Sequence, residues 1–189
     1  DTLYGGAGDD TLAGAGGDDS LVSGEGDDVI TDARGRNVLS GENGNDTITG
    51  GAEQDTIYGG FGQDSLAGNG SDDVISGGAD NDWISGGEGN DRLLGDDGFD
   101  TLIGGGGNDT MRGGTGADVI SAVRGLNAMY GEDGSDAITG GTDADTIDGG
   151  AGNDVLSGGA FERSHERHRG TAAGKPAGTR RPSPNVQMS

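Results

Sequence analysis

Aspartate recurs at every ninth position along most of the chain, and its carboxylate is the side chain best suited to chemistry here. The repeat starts at Gly5 and runs to Ser157 as seventeen nonapeptides without an insertion or a deletion. Position 6 is Asp in fifteen copies and Asn in the other two, Asn37 and Asn127. Regularly spaced carboxylates can bind a hard cation, or can act in pairs as acid and base. The choice between these depends on how the chain positions them.

The remaining positions of the repeat predict the elements that hold the carboxylates. Gly occupies position 1 in fourteen copies and position 4 in thirteen, so the first six residues are predicted to form a turn. Position 8 is always aliphatic, and the last three residues are predicted to form a very short strand with this side chain facing inward. A single copy cannot bury that residue. Stacked copies can, in a solenoid in which two repeats, or 18 residues, make one turn.

Residues 18 apart would then stack along one edge, which sorts the position-6 residues into two columns. The first column has no interruption, whereas Asn37 and Asn127 both fall in the second. The fifteen Asp residues predicted as metal ligands are, in the first column, Asp10, Asp28, Asp46, Asp64, Asp82, Asp100, Asp118, Asp136 and Asp154, and in the second, Asp19, Asp55, Asp73, Asp91, Asp109 and Asp145.

Residues 1–159 resemble the repeats-in-toxin (RTX, haemolysin-type) family, whose calcium-binding repeat reads Gly-Gly-x-Gly-x-Asp-x-U-x, with U a large apolar residue. Seventeen copies in one phase carry the resemblance. It implies an all-β fold, a right-handed parallel β-roll with two short-stranded sheets and 18-residue turns. It also implies several Ca²⁺ ions held between successive turns, and secretion of the parent protein.

The residues themselves also favour calcium. Carboxylates about 4.8 Å apart repel by about 1 kcal/mol in water, and by more inside a protein. A chain with 45 Gly and 29% hydrophobic residues has little apolar burial to offset that repulsion, so we predict that it is unfolded without metal. Ca²⁺ accepts carboxylates and backbone carbonyls in flexible geometry, whereas Mg²⁺ needs a tighter octahedron and Zn²⁺ prefers His and Cys. Metal binding and folding are then one equilibrium.

Two copies, 32–40 and 122–130, depart from the pattern. Both lack the first two Gly and the Asp, and both carry Arg at position 3, Arg34 and Arg124. They lie 90 residues apart with similar flanks, which indicates a duplicated 90-residue unit. Two interpretations remain open. Either Arg replaces the charge of the cation at a calcium-free or weak site, or the copies have drifted in a tolerant array.

Composition divides the chain at residue 160. Residues 1–159 have a net charge of −27 and are predicted to form the β-roll, while residues 160–189 have a net charge of +4 and contain all three Pro. The second region is predicted to be a basic, disordered tail. His165 and His168 lie three residues apart, whereas the zinc motif His-Glu-x-x-His needs four. The tail also lacks the amphipathic pattern expected of a type I secretion signal.

Several function classes are excluded by composition. A net charge of −23 argues against nucleic acid as a partner, and no apolar run is long enough to span a membrane. No nucleophile–base pair is visible in the repeats, which contain no Cys, His or Lys, and we predict that the chain is not an enzyme. The carboxylates are instead expected to form a solvent-facing ladder filled by metal.

The first functional hypothesis is a secreted, extracellular module that folds on binding calcium and acts as a folding switch and rigid spacer. The chain opens at position 6 of a repeat, so other domains of a longer parent chain are expected partners. The alternative is an adhesin or a module that binds extracellular polysaccharide. A third hypothesis, a disordered polyanion, predicts no response to calcium.

Overall fold

Each pair of nonapeptides adds one strand to each of two sheets, as the 18-residue stacking predicts. The computed structural model describes residues 1–159 and 167–168. Within these residues there are ten strands in one sheet (sheet A) and nine in the other (sheet B), and every pair is parallel. Up to β18, paired residues differ by 18, as for Leu3 with Leu21 and Leu21 with Leu39. No helix occurs among the described residues. The predicted all-β parallel solenoid, of about nine turns, is confirmed.

Sheet A contains the odd-numbered strands and sheet B the even-numbered ones. The strands of sheet A are β1 Thr2–Ala7, β3 Ser20–Glu25, β5 Val38–Asn43, β7 Thr56–Phe61, β9 Val74–Ala79, β11 Arg92–Asp97, β13 Thr110–Thr115, β15 Ala128–Asp133, β17 Thr146–Gly150 and β19 Arg167–His168. The strands of sheet B are β2 Thr11–Ala13, β4 Val29–Thr31, β6 Thr47–Thr49, β8 Ser65–Gly70, β10 Trp83–Glu88, β12 Thr101–Gly106, β14 Val119–Ser121, β16 Ala137–Thr139 and β18 Val155–Ser157.

The core is a double file of position-8 side chains between the two sheets. Those that are buried are Leu12, Leu21, Ile30, Leu39, Ile48, Ile57, Leu66, Ile75, Ile84, Leu93, Leu102, Met111, Ile120, Met129, Ile138 and Ile147. Leu3 and Leu156, at the two ends of the stack, are partly buried against it. The inward orientation predicted for position 8 is therefore confirmed. With one large apolar residue per repeat, this core is only two side chains wide.

The strands are longer than the sequence predicts. Most span six residues and continue through positions 1–3 of the next repeat, which were predicted to belong to the turn. Neighbouring turns stack in register, so pairing continues past the bend, as for Gly6 with Gly24. The bend itself is made at position 2, where these glycines have φ of 111° and 115°, a conformation that side chains disfavour.

Short strands of three residues occur in sheet B around the two irregular copies. They are β2, β4 and β6 at one end and β14, β16 and β18 at the other. In the irregular copies, Ala33 and Val123 occupy position 2 and neither has a positive φ. Since the chain does not make the regular bend there, the neighbouring turns lose their pairing partners at positions 2 and 3. Isolated bridges remain instead, such as Gly106 with Arg124.

The last strand, β19, lies in the predicted tail and pairs in parallel with β17 across a register shift. The remainder of residues 160–189, and with it the prediction of disorder, lies outside the described residues. Within the described part, no helix has the length and apolar character needed to cross a membrane.

Candidate metal-binding columns

The position-6 carboxylates lie inside the turns and do not face solvent, which corrects the expectation of a solvent-facing ladder. Asp64 and Asp82 are each 3% exposed, and Asp73 is 1% exposed. Of the fifteen predicted ligands only Asp10 and Asp154, near the two ends, are half-buried. The six-residue turn folds back over the aspartate that ends it. Each carboxylate is therefore removed from water along with its charge, which is costly unless it is compensated.

One oxygen of each carboxylate, Oδ1, links successive turns. The backbone N–H of a position-6 residue donates to Oδ1 of the position-6 side chain 18 residues later, as from Asp64 to Asp82 at 2.8 Å and from Asp73 to Asp91 at 2.9 Å. Asn37 and Asn127 keep this pattern, because their Oδ1 accepts from Asp19 at 3.0 Å and from Asp109 at 2.8 Å. These hydrogen bonds fix the orientation of both columns.

The second oxygen, Oδ2, has no hydrogen-bond partner at nearly every step. Fourteen of the fifteen predicted ligands have a buried Oδ2 without a donor among the described residues: Asp10, Asp19, Asp28, Asp46, Asp64, Asp73, Asp82, Asp91, Asp100, Asp109, Asp118, Asp136, Asp145 and Asp154. Buried polar atoms in proteins are almost always paired, and an unpaired charged one costs still more. The regular recurrence of these unpaired oxygens indicates that each needs a positively charged partner of the same kind.

The position-1 glycine makes room for this oxygen. A Cβ added to Gly5 would lie 2.7 Å from Oδ2 of Asp10, closer than real side-chain contacts, and similar crowding recurs along both columns. Sequence reasoning treated this glycine only as a turn former. The need for space beside Oδ2 follows from the inward orientation of the carboxylate, which the sequence did not indicate. Ser23 shows that one larger residue is accommodated, above Asp28.

Burial raises the pKa values of eleven of these carboxyl groups. Burial, with a contribution from neighbouring carboxylates, raises the pKa of Asp64, Asp73 and Asp82 to about 7. The same causes raise the pKa of Asp118 and Asp136 to about 6. The charged form is therefore disfavoured in the metal-free fold. A bound cation reverses this effect, because an adjacent positive charge stabilises the carboxylate.

The donor set fits calcium. Among residues 1–159 and 167–168, no cluster of three or more His, Cys, Asp or Glu side chains could hold a metal by itself. A cation between two turns would therefore take its side-chain ligands from stacked Asp residues and its other ligands from backbone carbonyls or water. Ca²⁺ accepts such an oxygen-rich set of mixed origin, whereas structural zinc requires several His or Cys ligands.

At the two irregular copies, an amide group takes the place of the free carboxylate oxygen. Nδ2 of Asn37 donates to the carbonyl oxygen of Gly35 at 3.0 Å, and Nδ2 of Asn127 donates to that of Gly125, also at 3.0 Å. A neutral donor therefore satisfies the position-4 carbonyl of its own repeat. These side chains need no cation.

At the second irregular copy, arginine does not replace the cation. The guanidinium of Arg124 lies on the surface, where it pairs with exposed Glu88 two turns away. The backbone N–H of Arg34 donates to Oδ1 of Asp32 at 3.3 Å. The interpretation that Arg supplies the positive charge is thus wrong for Arg124, and it is the Asn amide that compensates the site.

Two carboxylates depart from the rule in opposite directions. Asp55 is the predicted ligand whose Oδ2 is satisfied, because the backbone N–H of Gly51 donates to it at 2.7 Å. Asp32 lies at position 1, outside the predicted set, yet it is 1% exposed and its Oδ2 has no partner among the described residues. Sequence reasoning missed Asp32 because the nonapeptide pattern assigns no role to an acid at position 1.

Comparison with protein families gives an independent result. The model described as RTX calcium-binding nonapeptide repeat (4 copies) matches residues 1–30, 31–66, 59–93, 67–102, 85–120 and 130–162. The matches cover most of the chain and omit residues 121–129, which contain all but the last residue of the second irregular copy, and residues 163–189. No curated protein matches the chain.

Proposed function

Since the chain belongs to the RTX calcium-binding nonapeptide repeat family, we propose that it is a secreted module that folds when it binds several Ca²⁺ ions outside the cell. Free calcium is scarce inside cells and reaches millimolar levels outside, so export would trigger folding. The folded module then acts as a rigid spacer for other domains of a longer parent chain. Its role is structural, without catalysis.

The observation that carries this proposal is the series of buried, unpartnered Oδ2 atoms in two columns. Without a cation, the stack buries carboxylate oxygens that have no hydrogen-bond donor among the described residues. With a cation between turns, the same oxygens become ligands and the repulsion becomes attraction. A core only two side chains wide compensates poorly for the missing cation, so the folded state depends on the metal.

The test is a calcium titration of the chelated chain followed by far-UV circular dichroism, with Mg²⁺ as the control cation. We expect a cooperative change from coil to β-structure at about 0.1–1 mM Ca²⁺, the range of extracellular modules. Mg²⁺ should produce little change at the same concentrations. Stable β-structure in chelator at neutral or higher pH, or a coil spectrum that persists through about 10 mM Ca²⁺, would contradict the proposal.

A second candidate function rests on the outer face of sheet B. Before the bend, the outward positions of its strands are 7 and 9 of each repeat. None of these residues is charged: Thr11, Ala13, Val29, Thr31, Thr47, Thr49, Ser65, Ala67, Trp83, Ser85, Thr101, Ile103, Val119, Ser121, Ala137, Thr139, Val155 and Ser157. Sheet A differs, since its outer face includes Arg92 and Arg112. In a chain of net charge −23, a neutral face with hydroxyl groups and an exposed Trp83 fits a neutral polysaccharide.

Glycan-array binding by the calcium-saturated chain tests this second function. Trp83→Ala should abolish binding to a neutral glycan, whereas Tyr58→Ala, which removes an exposed aromatic ring from sheet A, should not. Circular dichroism in calcium would verify that both variants are folded. Equal binding by the two variants would exclude the sheet B face as the site.

A further inference from the structure

We propose that Asp19 and Asp32 form a Ca²⁺ site outside the regular repeat pattern. The proposal rests on calcium binding by the columns, as proposed above, and adds a ligand that the nonapeptide motif does not contain. Asp19 is the regular position-6 residue of its turn, whereas Asp32 lies at position 1 of the irregular copy 32–40. The cation would lie between these two stacked turns, and each such space between successive position-6 residues of a column is called a level.

The geometry of the two side chains supports the site. Asp19 is 4% exposed and Asp32 is 1% exposed, and the Oδ2 atoms of both are buried without a donor among the described residues. Both oxygens lie within 2.6 Å of the point that a Cβ on Gly14 would occupy. Two unpartnered carboxylate oxygens on neighbouring turns therefore point to one small volume. That arrangement is repulsive until a cation lies between them.

The other oxygens of the pair are already engaged. Oδ1 of Asp19 accepts from the amino nitrogen of Asp1, the position that a backbone N–H takes at every later step of the column. Oδ1 of Asp32 accepts from the backbone N–H of Arg34 at 3.3 Å.

Asp32 restores a carboxylate where the column loses one. Asn37 follows Asp19 in the column, so without Asp32 the level between them would have a single carboxylate. In the first irregular copy, the carboxylate is therefore supplied from position 1 instead of position 6. The space between Asn37 and Asp55, one turn further on, needs no cation because hydrogen bonds satisfy both side chains: the Asn37 amide donates to the carbonyl of Gly35, and Oδ2 of Asp55 accepts from Gly51.

The duplicated 90-residue unit supplies a matched control within the chain. Asp109, Ala122 and Asn127 correspond to Asp19, Asp32 and Asn37. Oδ2 of Asp109 is also unpartnered, but Ala122, which is 7% exposed, offers it no second carboxylate. The level at Asp109 should therefore bind Ca²⁺ more weakly than the level at Asp19. The presence of Ala122 also indicates that Ala is tolerated at this position of the fold.

The test compares Ca²⁺ binding by the wild-type chain, Asp32→Ala and Ala122→Asp, by equilibrium dialysis at calcium concentrations at which circular dichroism shows each chain to be folded. Asp32→Ala should lose one Ca²⁺ per chain, or weaken one site by about tenfold or more, because ligand charge sets calcium affinity. Ala122→Asp should gain one ion. Asp133→Ala, which removes an exposed carboxylate, controls for net charge and should leave the ion count unchanged.

The outcomes separate this proposal from the general one. If the wild-type chain neither binds Ca²⁺ nor folds with it, the proposed function fails. If it binds Ca²⁺ and Asp32→Ala retains the same number of ions with the same affinities, only the Asp19–Asp32 site is overturned. Should Asp32→Ala fail to fold even in saturating calcium, Ala122→Asp decides the question, and an unchanged ion count in that variant would reject the site.

Discussion

The two oxygens of each position-6 aspartate have different tasks. Oδ1 accepts a backbone N–H from the preceding turn and so helps to build the stack, while Oδ2 has no donor among the described residues and is available to a cation. Asn37 and Asn127 perform only the first task, since their Oδ1 accepts the backbone N–H but their amide group has no anionic oxygen to bind a cation. Substitution of Asp by Asn is therefore a specific probe of the cation site.

The variant Asp73→Asn, compared with Asp72→Asn, tests this division at adjacent residues. Asp73 is 1% exposed with an unpartnered Oδ2, whereas Asp72 is exposed and accepts hydrogen bonds from Asn90. We expect Asp73→Asn to bind one or two fewer Ca²⁺ ions and to shift the calcium midpoint of folding upward by about two- to tenfold. Both variants remove one negative charge, so equal midpoints for the two would contradict a specific ligand role.

The position-1 glycine gives a second prediction. At Gly86 a Cβ would collide with the carboxylate of Asp91, whereas at Gly70 the nearest atom would be 3.5 Å away, and neither residue has a positive φ. Gly86→Ala should therefore displace a cation ligand and destabilise the calcium-loaded fold by about 1–3 kcal/mol. Gly70→Ala should have little effect. Urea unfolding at saturating calcium measures both, and similar losses would show that backbone entropy, not the carboxylate, determines the cost.

Strand length varies along sheet B, and this variation follows the irregular copies. Strands β8, β10 and β12, between the two copies, have six residues, while β4, β6, β14 and β16 have three. Main-chain pairing in a solenoid joins each turn only to its two neighbours, so a local loss of pairing remains local. The irregular copies are thus points at which the main-chain ladder of one sheet edge is interrupted while the core continues through Leu39 and Met129.

Hydrogen exchange should reveal these interruptions. In the calcium-loaded chain we expect faster exchange at residues 123–124, where two N–H groups share the carbonyl of Gly105 at 3.2 and 3.4 Å, than at the equivalent residues 87–88, which lie within the regular ladder of β10. The difference should reach about tenfold or more in rate, since exchange without a stable hydrogen bond requires no opening of the ladder. Uniform protection along both ranges would show that the ladder is continuous in solution.

Much of this element-level organisation was readable from the sequence. The nonapeptide period and its aliphatic position 8 predicted the parallel stack, the two columns and the inward side chains of Leu21 or Ile84. The sequence did not indicate that strands extend through position 3. Glycine at positions 1 and 2 is typical of a turn and gives no sign that these positions also pair with the equivalent residues of the next turn. Nor did it reveal the burial of position 6 or of Asp32, since both depend on how the turn folds back on itself.

At the scale of the whole molecule, the chain combines a dense negative charge with a very small core. The described stack buries thirteen of the fifteen predicted ligands, and its apolar interior is a double file of single side chains. Any agent that neutralises the columns should therefore favour the stack, whether it is a cation or a proton. Calcium and acid are expected to act on the same carboxyl groups.

The last prediction follows from the sign of the pKa shifts. The pKa of Asp64, Asp73 and Asp82 rises from an ordinary 3.8 to about 7 in the metal-free fold, so the folded state binds more protons than the unfolded state between these values. The protonated carboxyls stabilise the calcium-free fold fully below pH about 4, and this contribution is lost as pH rises through about 7. In chelator, β-structure should therefore increase as pH falls from 8 to 5.

Far-UV circular dichroism from pH 8 to pH 5 in chelator, at fixed ionic strength, measures this response while staying above the isoelectric point of about 4.1. The calcium-saturated chain is the control, and its stability should change in the opposite sense, because protons compete with Ca²⁺ for the same oxygens. A variant in which Asp64, Asp73 and Asp82 are all Asn should lose part of the acid response, since it keeps the Oδ1 hydrogen bonds without titrating. A pH-independent coil spectrum in chelator would show that neutralising the columns is insufficient, and that Ca²⁺ must also crosslink neighbouring turns.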